Sequence, residues 1–119
     1  MSRKSRSRRA AALQVHAPVF AALGDVTRLA LVAKLAEGQP CSISKLTEGS
    51  RLTRQAITKH LRVLESAGMV RHVRAGRERR FAFDPQPIVG IQEYLDDIAG
   101  QWDEALARLK AFVETKVPG

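Results

Sequence analysis

The fold is decided by one stretch, LTRQAITKHLRVLESAGMV, which spans residues 52–70. Within it, Ile57, Leu61 and Leu64 recur at the spacing that places apolar side chains on one face of an α-helix. The boundaries are also marked, since a threonine that can cap a helix start precedes the run and a glycine follows it. The stretch therefore predicts a helix over residues 54–67 that packs through one face.

The other face of this helix is polar and contains no acidic residue. Six residues at the helix start and along this face are candidates for contact with DNA: Thr53, Arg54, Gln55, Thr58, Lys59 and Arg62. A donor-rich face without acids is electrostatically unfavourable unless an anion covers it. The major groove of duplex DNA admits an α-helix, and Gln, Arg and Lys bond to its base edges. We interpret residues 54–67 as a reading helix, against the alternative of a solvated face on a structural helix.

Two neighbouring segments complete a winged helix-turn-helix. A short helix over residues 43–48, capped by Ser42, leads into the reading helix through the turn Gly49-Ser50. After the reading helix, residues 69–83 alternate between apolar and polar side chains, which predicts a two-stranded hairpin, the wing. Four arginines near the wing tip are expected to contact phosphates or the minor groove: Arg74, Arg77, Arg79 and Arg80.

Two helices are predicted on the N-terminal side of the winged helix-turn-helix. One is expected from about residue 10 to residue 23, with a break near Pro18. Asp25, or alternatively Thr27, would cap the next helix. The buried stripe of that helix is expected at four positions: Leu29, Val32, Ala33 and Ala36.

The last helix is predicted over residues 88–115. Its apolar residues are spaced alternately by three and four positions, which gives an a/d seam over nearly four heptads. Six of its apolar residues are candidates for a dimer interface: Ile91, Leu95, Ile98, Trp102, Leu106 and Leu109. The seam favours pairing of two chains, and packing within its own subunit is the alternative.

Positive charge is concentrated in two parts of the 119-residue chain, whose length fits one domain. Residues 51–80 hold nine Lys or Arg against two acidic residues, and residues 1–9 hold five basic residues and no acidic one. The net charge of +8 indicates a polyanionic partner such as double-stranded DNA. We expect residues 1–9 to be a disordered basic arm that reaches toward DNA, and residues 10–119 to form the domain.

Other classes of protein are disfavoured. No run of about 18 apolar residues occurs, so we expect no membrane partner, and a single cysteine, Cys41, suits a reducing cytoplasm. An export signal at the basic N-terminus is disfavoured because Gln14, His16 and Pro18 interrupt its apolar stretch. The sequence therefore predicts a cytoplasmic protein.

Motifs for catalysis and for metal binding are missing. No nucleophile, phosphate-loop or zinc-protease motif occurs, so we expect neither enzyme activity nor a cofactor. His16, His60 and His72 lie in different segments, so no metal site is expected. Redox sensing by Cys41, which follows a proline at a helix start, is a minor alternative to an inert thiol.

Over about residues 17–114 the chain resembles the ArsR/SmtB-type bacterial repressors. The stretches FAALGDVTRLALVAKLAEG and SISKLTEGSRLTRQAITKHLRVLESAGMVRHVRAGRERRFAF carry the resemblance, and KHLRVLESAGMV is its most diagnostic part. The resemblance implies a symmetric homodimer in which the first and last helices pair and two reading helices enter successive major grooves. It also implies negative regulation of transcription at a palindromic operator. The Cys-rich and His-containing ligand sets of metal-sensing members are not matched here, which points to a branch without an obvious metal site.

The predicted fold is mainly α with a small β-hairpin wing, a winged helix-turn-helix that is dimeric through its N- and C-terminal helices. The predicted function is sequence-specific DNA binding as a homodimeric transcriptional regulator, with repression as the expected direction. Two alternatives remain: a non-specific architectural DNA-binding protein, and a metal- or redox-responsive sensor. The sequence leaves open whether a small-molecule inducer exists.

Overall fold

A computed structural model describes residues 3–116, which form five α-helices and a small three-stranded antiparallel sheet. The helices are α1 (Arg3–Leu23), α2 (Val26–Ala36), α3 (Ile43–Thr47), α4 (Arg54–Ser66) and α5 (Gln86–Lys116). The strands are β1 (Cys41–Ser42), β2 (Val70–Ala75) and β3 (Glu78–Phe83), in the order β1-β3-β2. The expected winged helix-turn-helix is therefore confirmed, and α4 is the reading helix.

Local hydrogen bonds set both ends of α4. The Thr53 hydroxyl oxygen accepts a bond of 3.1 Å from the backbone N–H of Ala56, which satisfies one of the free donors at the helix start. At the other end Gly68 has φ of 79°, a left-handed conformation that favours glycine. The next N–H, of Met69, then donates to the carbonyl of Leu64 at 3.0 Å, as in a Schellman motif. These caps confirm the predicted helix to within one residue.

The core lies where α4 meets the sheet, α2 and α3. Its largest fully buried side chains come from several elements: Leu35, Ile57, Leu61, Leu64, Met69 and Val70. The three α4 residues predicted to face inward are all among them. On α2, however, Leu31 and Leu35 are buried, whereas Leu29 is half exposed and Ala33 and Ala36 are exposed. The stripe predicted for α2 is confirmed only at Val32, which packs against the core, and is wrong at the other three positions, because the helix turns a neighbouring apolar face toward α4.

Helix α1 begins at Arg3 and continues through Pro18 to Leu23. The segment expected to be a disordered arm is therefore helical from residue 3, and residues 1 and 2 lie outside the described range. Arg, Lys and Ala all have high helix propensity, so a helix that starts in residues 10–23 extends backward through them at little cost. The expected break at Pro18 does not occur. The carbonyl of Gln14, which loses its helical partner to the proline, lies on an exposed part of α1.

The sheet contains the predicted hairpin and one strand that was not predicted. Strands β2 and β3 pair from Val70 opposite Phe83 to Ala75 opposite Glu78. Gly76, with φ of 66°, occupies the tight turn between them, where a positive φ matches the right-handed twist of the strands. The two-residue strand β1 adds Cys41 opposite Phe81 on the far edge of β3. It ties the start of α3 to the wing.

Helix α5 packs against the body only over its first part. Ile91 is 7% exposed and belongs to the core, and Ile88 packs against the core as well. Helix α1 lies against this part of α5, since a Cβ added at Gly90 would lie 3.4 Å from the His16 ring. Ile91 therefore packs inside its own subunit, which corrects its assignment to a dimer interface. Farther along, the helix leaves six large apolar residues exposed, one of which is Phe112, and we name the other five the apolar stripe: Leu95, Trp102, Leu106, Leu109 and Val113.

Candidate nucleic-acid interface

One face of α4 presents side chains that are free to bind. Gln55, Lys59 and Arg62 are exposed, and we name these three residues the donor face. In the described part of the chain none of the three side chains makes a hydrogen bond or an ion pair. At about 100° per residue they span an arc of roughly 60°, turned away from Ile57 and Leu61. The donor face is thus held outward by the burial of the opposite side of the helix.

Two threonines of the predicted set already have structural bonds. The Thr53 oxygen caps α4 and keeps its O–H free to donate to an anion. The Thr58 hydroxyl donates to the backbone carbonyl of Arg54 at 2.7 Å, so only its oxygen lone pairs remain available. Thr58 is also half-buried. Thr53 is therefore suited to a phosphate, whereas Thr58 is suited only to a donor on a base.

The wing divides its four arginines between two faces. Arg74 lies directly opposite Arg79 across the hairpin, so the two side chains share one face. Like charges at such positions repel each other unless an anion lies between or above them. Arg80 belongs to the other face, and its Nε donates to Glu78 Oε2 at 3.3 Å. Arg80 is therefore partly neutralised within the wing, while Arg74 and Arg79 are not.

A polar cleft joins the wing tip to the start of α4. It encloses about 340 Å³ and is lined by three arginines and one acidic residue, with Ser42, Ile43 and Ser44 beside them: Arg54, Arg77, Arg79 and Glu78. Three arginines, from α4 and from the wing, thus line one concave surface with a single carboxylate, that of Glu78, which gives the cleft a net positive charge. The sequence predicted Arg54 as a DNA-contacting residue at the start of the reading helix, and the structure places it beside the wing tip as well. The two serines were not predicted, because their approach to the wing depends on strand β1.

A side-chain pair fixes the wing to the reading helix. The Oε2 atom of Glu65, in the last turn of α4, lies 2.6 Å from Nδ1 of His72 on β2. The same oxygen accepts a bond of 3.2 Å from the backbone N–H of His72. Glu65 therefore holds the base of the wing at a set distance from α4. Neither residue was singled out as functional, since a contact between a helix end and the following strand has no signal in local spacing.

The basic residues at the start of α1 lie beside α5. Arg8 and Arg9 line a groove of about 410 Å³ with Asp97 and Gln101, over an apolar floor that includes Leu13. Leu13 is exposed, so the groove continues the apolar surface of α5 onto α1. This places part of the predicted DNA-contacting arm next to one acidic residue of the same subunit, Asp97.

Within residues 3–116 no group of three or more His, Cys, Asp or Glu side chains is placed to hold a metal ion. His16, His60 and His72 lie on α1, α4 and β2 respectively. The Cys41 thiol is buried and donates to the carbonyl of Gln39 at 3.4 Å. Over the same residues, no helix has the length and apolar content needed to cross a membrane.

Comparisons with known proteins agree with this arrangement. A family model described as a helix-turn-helix domain matches residues 23–73. The chain is 40% identical over 79 residues to the HTH-type transcriptional regulator YuzN of Bacillus subtilis, a match that covers 61% of this chain and 86% of YuzN. It is 32% identical over 95 residues to the HTH-type transcriptional regulator Rv2034 of Mycobacterium tuberculosis, covering 80% and 85% of the two chains. Among solved structures, an ArsR-like transcriptional regulator from Rhodococcus sp. RHA1 is similar with a TM-score of 0.76 and 35% identity, over 83% of this chain and 92% of that one.

Proposed function

The chain belongs to the ArsR/SmtB-type winged helix-turn-helix transcriptional regulators, and from this premise we propose that it is a homodimeric repressor of a palindromic operator. It is a DNA-binding transcriptional regulator. The dimer, the operator symmetry and the direction of regulation are the parts that we propose. In this proposal the protein acts by binding alone, without catalysis.

The donor face is the observation that carries the proposal. Gln55, Lys59 and Arg62 project from one side of α4 with no acidic residue among them, and none has a hydrogen-bond or ion-pair partner in the described part of the chain. Gln can form a bidentate bond with adenine, and Arg or Lys with guanine, in the major groove. We assign base readout to these three residues. We assign phosphate contacts to Thr53, Arg54, Arg74, Arg77 and Arg79, which lie at the helix start or on the wing.

The apolar stripe supports the dimer. Trp102 is 66% exposed in the single chain, and Leu106 and Leu109 are more than half exposed. Soluble monomers rarely leave such a continuous apolar row in water. Pairing of α5, with help from α1, would cover the row and place two reading helices on one face of the dimer. If these helices lie about 34 Å apart, they enter successive major grooves one helical turn apart.

Binding to an inverted repeat tests the proposal. The wild-type protein is footprinted on the DNA upstream of its own gene, and its affinity for the protected site is compared with that for a scrambled duplex of equal length. We expect a protected palindrome and a specificity ratio of about 10³ or more at physiological salt. Transcription in vitro from the same promoter then shows whether occupancy lowers transcript yield. Equal affinity for both duplexes would replace the proposal with a non-specific DNA-binding role.

A further inference from the structure

A single guanidinium group, that of Arg28 in the first turn of α2, connects three helices. Its Nε donates to the carbonyl of Ala22 at 2.6 Å, and its Nη2 donates to the carbonyl of Ala21 at 3.4 Å. Both carbonyls belong to the last turn of α1, where i+4 helical partners are missing, although Ala21 also accepts a bond of 3.2 Å from the backbone N–H of Gly24. Arg28 therefore caps the C-terminus of α1 while its own backbone belongs to α2.

The same group also contacts the reading helix. Nη1 of Arg28 lies 3.3 Å from Nδ1 of His60 on α4. A guanidinium group has only donors, so Nδ1 must accept, which places the proton of the neutral ring on Nε2. The Asp25 carboxylate lies 3.7 Å from the same Nδ1, too far for a hydrogen bond and with no proton between the two acceptors. Asp25 instead accepts the backbone N–H of Arg28 at 2.9 Å and supplies a negative charge next to the guanidinium.

We infer that Arg28 is a positioning residue that fixes the orientation of the reading helix relative to α1, and so contributes to operator affinity without touching DNA. The inference rests on the proposed function, since it treats α1 as part of the dimer. Arg28 would then be a determinant of specific binding that lies outside both α4 and the wing. Arg28 and His60 are 32 positions apart in sequence and meet only through the fold.

The position of His60 explains why orientation depends on this contact. On a helical wheel His60 lies roughly 100–160° from the members of the donor face, on the flank that turns toward α1 and α2. A rotation of α4 by about 20° would move atoms at a radius of about 5 Å by roughly 2 Å. Hydrogen bonds to base edges require donor–acceptor distances near 3 Å, so a shift of this size breaks them. In a dimer this displacement of the reading helix would occur in both half-sites of the operator.

Backbone phosphate contacts tolerate such a rotation better than base contacts do. Phosphate binding depends mainly on the number of positive charges near the duplex. Loss of the Arg28 contact should therefore lower affinity for the operator while leaving affinity for a scrambled duplex nearly unchanged. A purely structural role would instead lower both affinities together, in proportion to the unfolded fraction.

The test uses Arg28→Lys, which keeps the charge but removes the forked set of donors. We expect its operator affinity to fall about ten-fold, its affinity for the scrambled duplex to change less than about two-fold, and its dimer to remain intact in sedimentation. Arg71→Lys, an equal exchange on the exposed side of β2, is the matched control and should bind like the wild type. Wild-type binding to the operator is measured in parallel, so that failure of the proposed function is seen separately.

Variants of His60 form the second part of the experiment. His60→Ala removes the acceptor and should weaken operator binding as Arg28→Lys does, whereas His60→Asn places an amide oxygen near the position of Nδ1 and should restore most of the affinity. Arg28→Lys combined with His60→Ala should cost little more than either change alone, because both break one contact. The inference is overturned if Arg28→Lys binds the operator like the wild type, if both duplexes lose affinity equally, or if the two changes are additive.

Discussion

The reading helix α4 and the terminal helix α5 each leave one face uncovered, and the two faces are chemically opposite. The donor face of α4 consists of charged or amide groups that water solvates well when DNA is absent. The apolar stripe of α5 gains nothing from water, and Trp102 alone exposes two thirds of its surface. The donor face is therefore stable in water without DNA bound, whereas the apolar stripe favours lasting burial against another apolar surface. In the proposed homodimer, the difference would separate a salt-dependent contact with DNA from a lasting contact between subunits.

Breaking the apolar stripe should have the largest effect. Leu106→Glu combined with Leu109→Glu places two charges where two apolar side chains would be buried, and each Leu contributes about 1.5–3 kcal/mol when buried. We expect the dimer to dissociate at micromolar concentration and operator affinity to fall at least 100-fold, measured by sedimentation and by gel shift. Ala107→Glu adds a charge on an exposed part of α5 outside the stripe and is the control. A variant that stays dimeric with both glutamates would show that the stripe is not the interface.

Changes on the donor face should have a smaller and more local effect. Gln55→Ala and Arg62→Ala should each cost about 1–3 kcal/mol on the operator and relax preference at particular base pairs. Affinity selection from a randomised operator reveals which base pairs lose preference. The dimer should be unaffected, since neither residue belongs to the stripe. A uniform loss over all sequences would reassign both residues to phosphate contact.

The sequence predicted those structural features that are determined by residues close together in the chain, and it failed where packing between elements decides the structure. Thr53 and Gly68 fixed the reading helix because a cap and a left-handed glycine act within one turn of chain. On α2 the sequence offered two apolar faces, and packing against α4 selected the one with Leu31 and Leu35. Composition alone suggested a disordered arm for residues 1–9, but continuity with α1 makes it helical from residue 3.

Contacts between elements that are distant in sequence could not be predicted from sequence patterns. Strand β1 has only two residues and exists because β3 offers it an edge, so no periodicity could reveal it. For the same reason the cleft that joins Arg54 to the wing was not predicted. The contact between Arg28 and His60 likewise depends on how α2 and α4 cross. The residues expected to bind DNA were proposed from spacing, while the groups that hold them in place have no such signal.

Within the wing, a comparison of two arginines separates free from paired charge. Arg79 faces Arg74 and lines the cleft, whereas Arg80 bonds to Glu78. Arg79→Ala should weaken binding to all sequences alike and lower the slope of log affinity against log salt by about one unit. Arg80→Ala should change the slope by clearly less, because its charge is already partly neutralised. Equal slopes for the two variants would contradict the division of the wing into two faces.

The smallest effect is expected at Asp25, which lies at the junction between α1, α2 and α4 and belongs to neither face. The backbone N–H of Arg28 holds the pKa of the Asp25 carboxyl below its ordinary value, with a further contribution from the Arg28 charge. Because the folded-state pKa is lowered, the ionised group stabilises the folded protein above about pH 4 and loses that contribution as pH falls through the folded value. Asp25→Asn keeps an N-cap oxygen but removes the titration. The wild type should therefore melt slightly above Asp25→Asn at pH 7, and the difference should shrink in thermal melts below about pH 4. Asp25→Ala, which loses the cap at every pH, is the control, and a difference that persists unchanged in acid would show that the charge of Asp25 does not stabilise this junction.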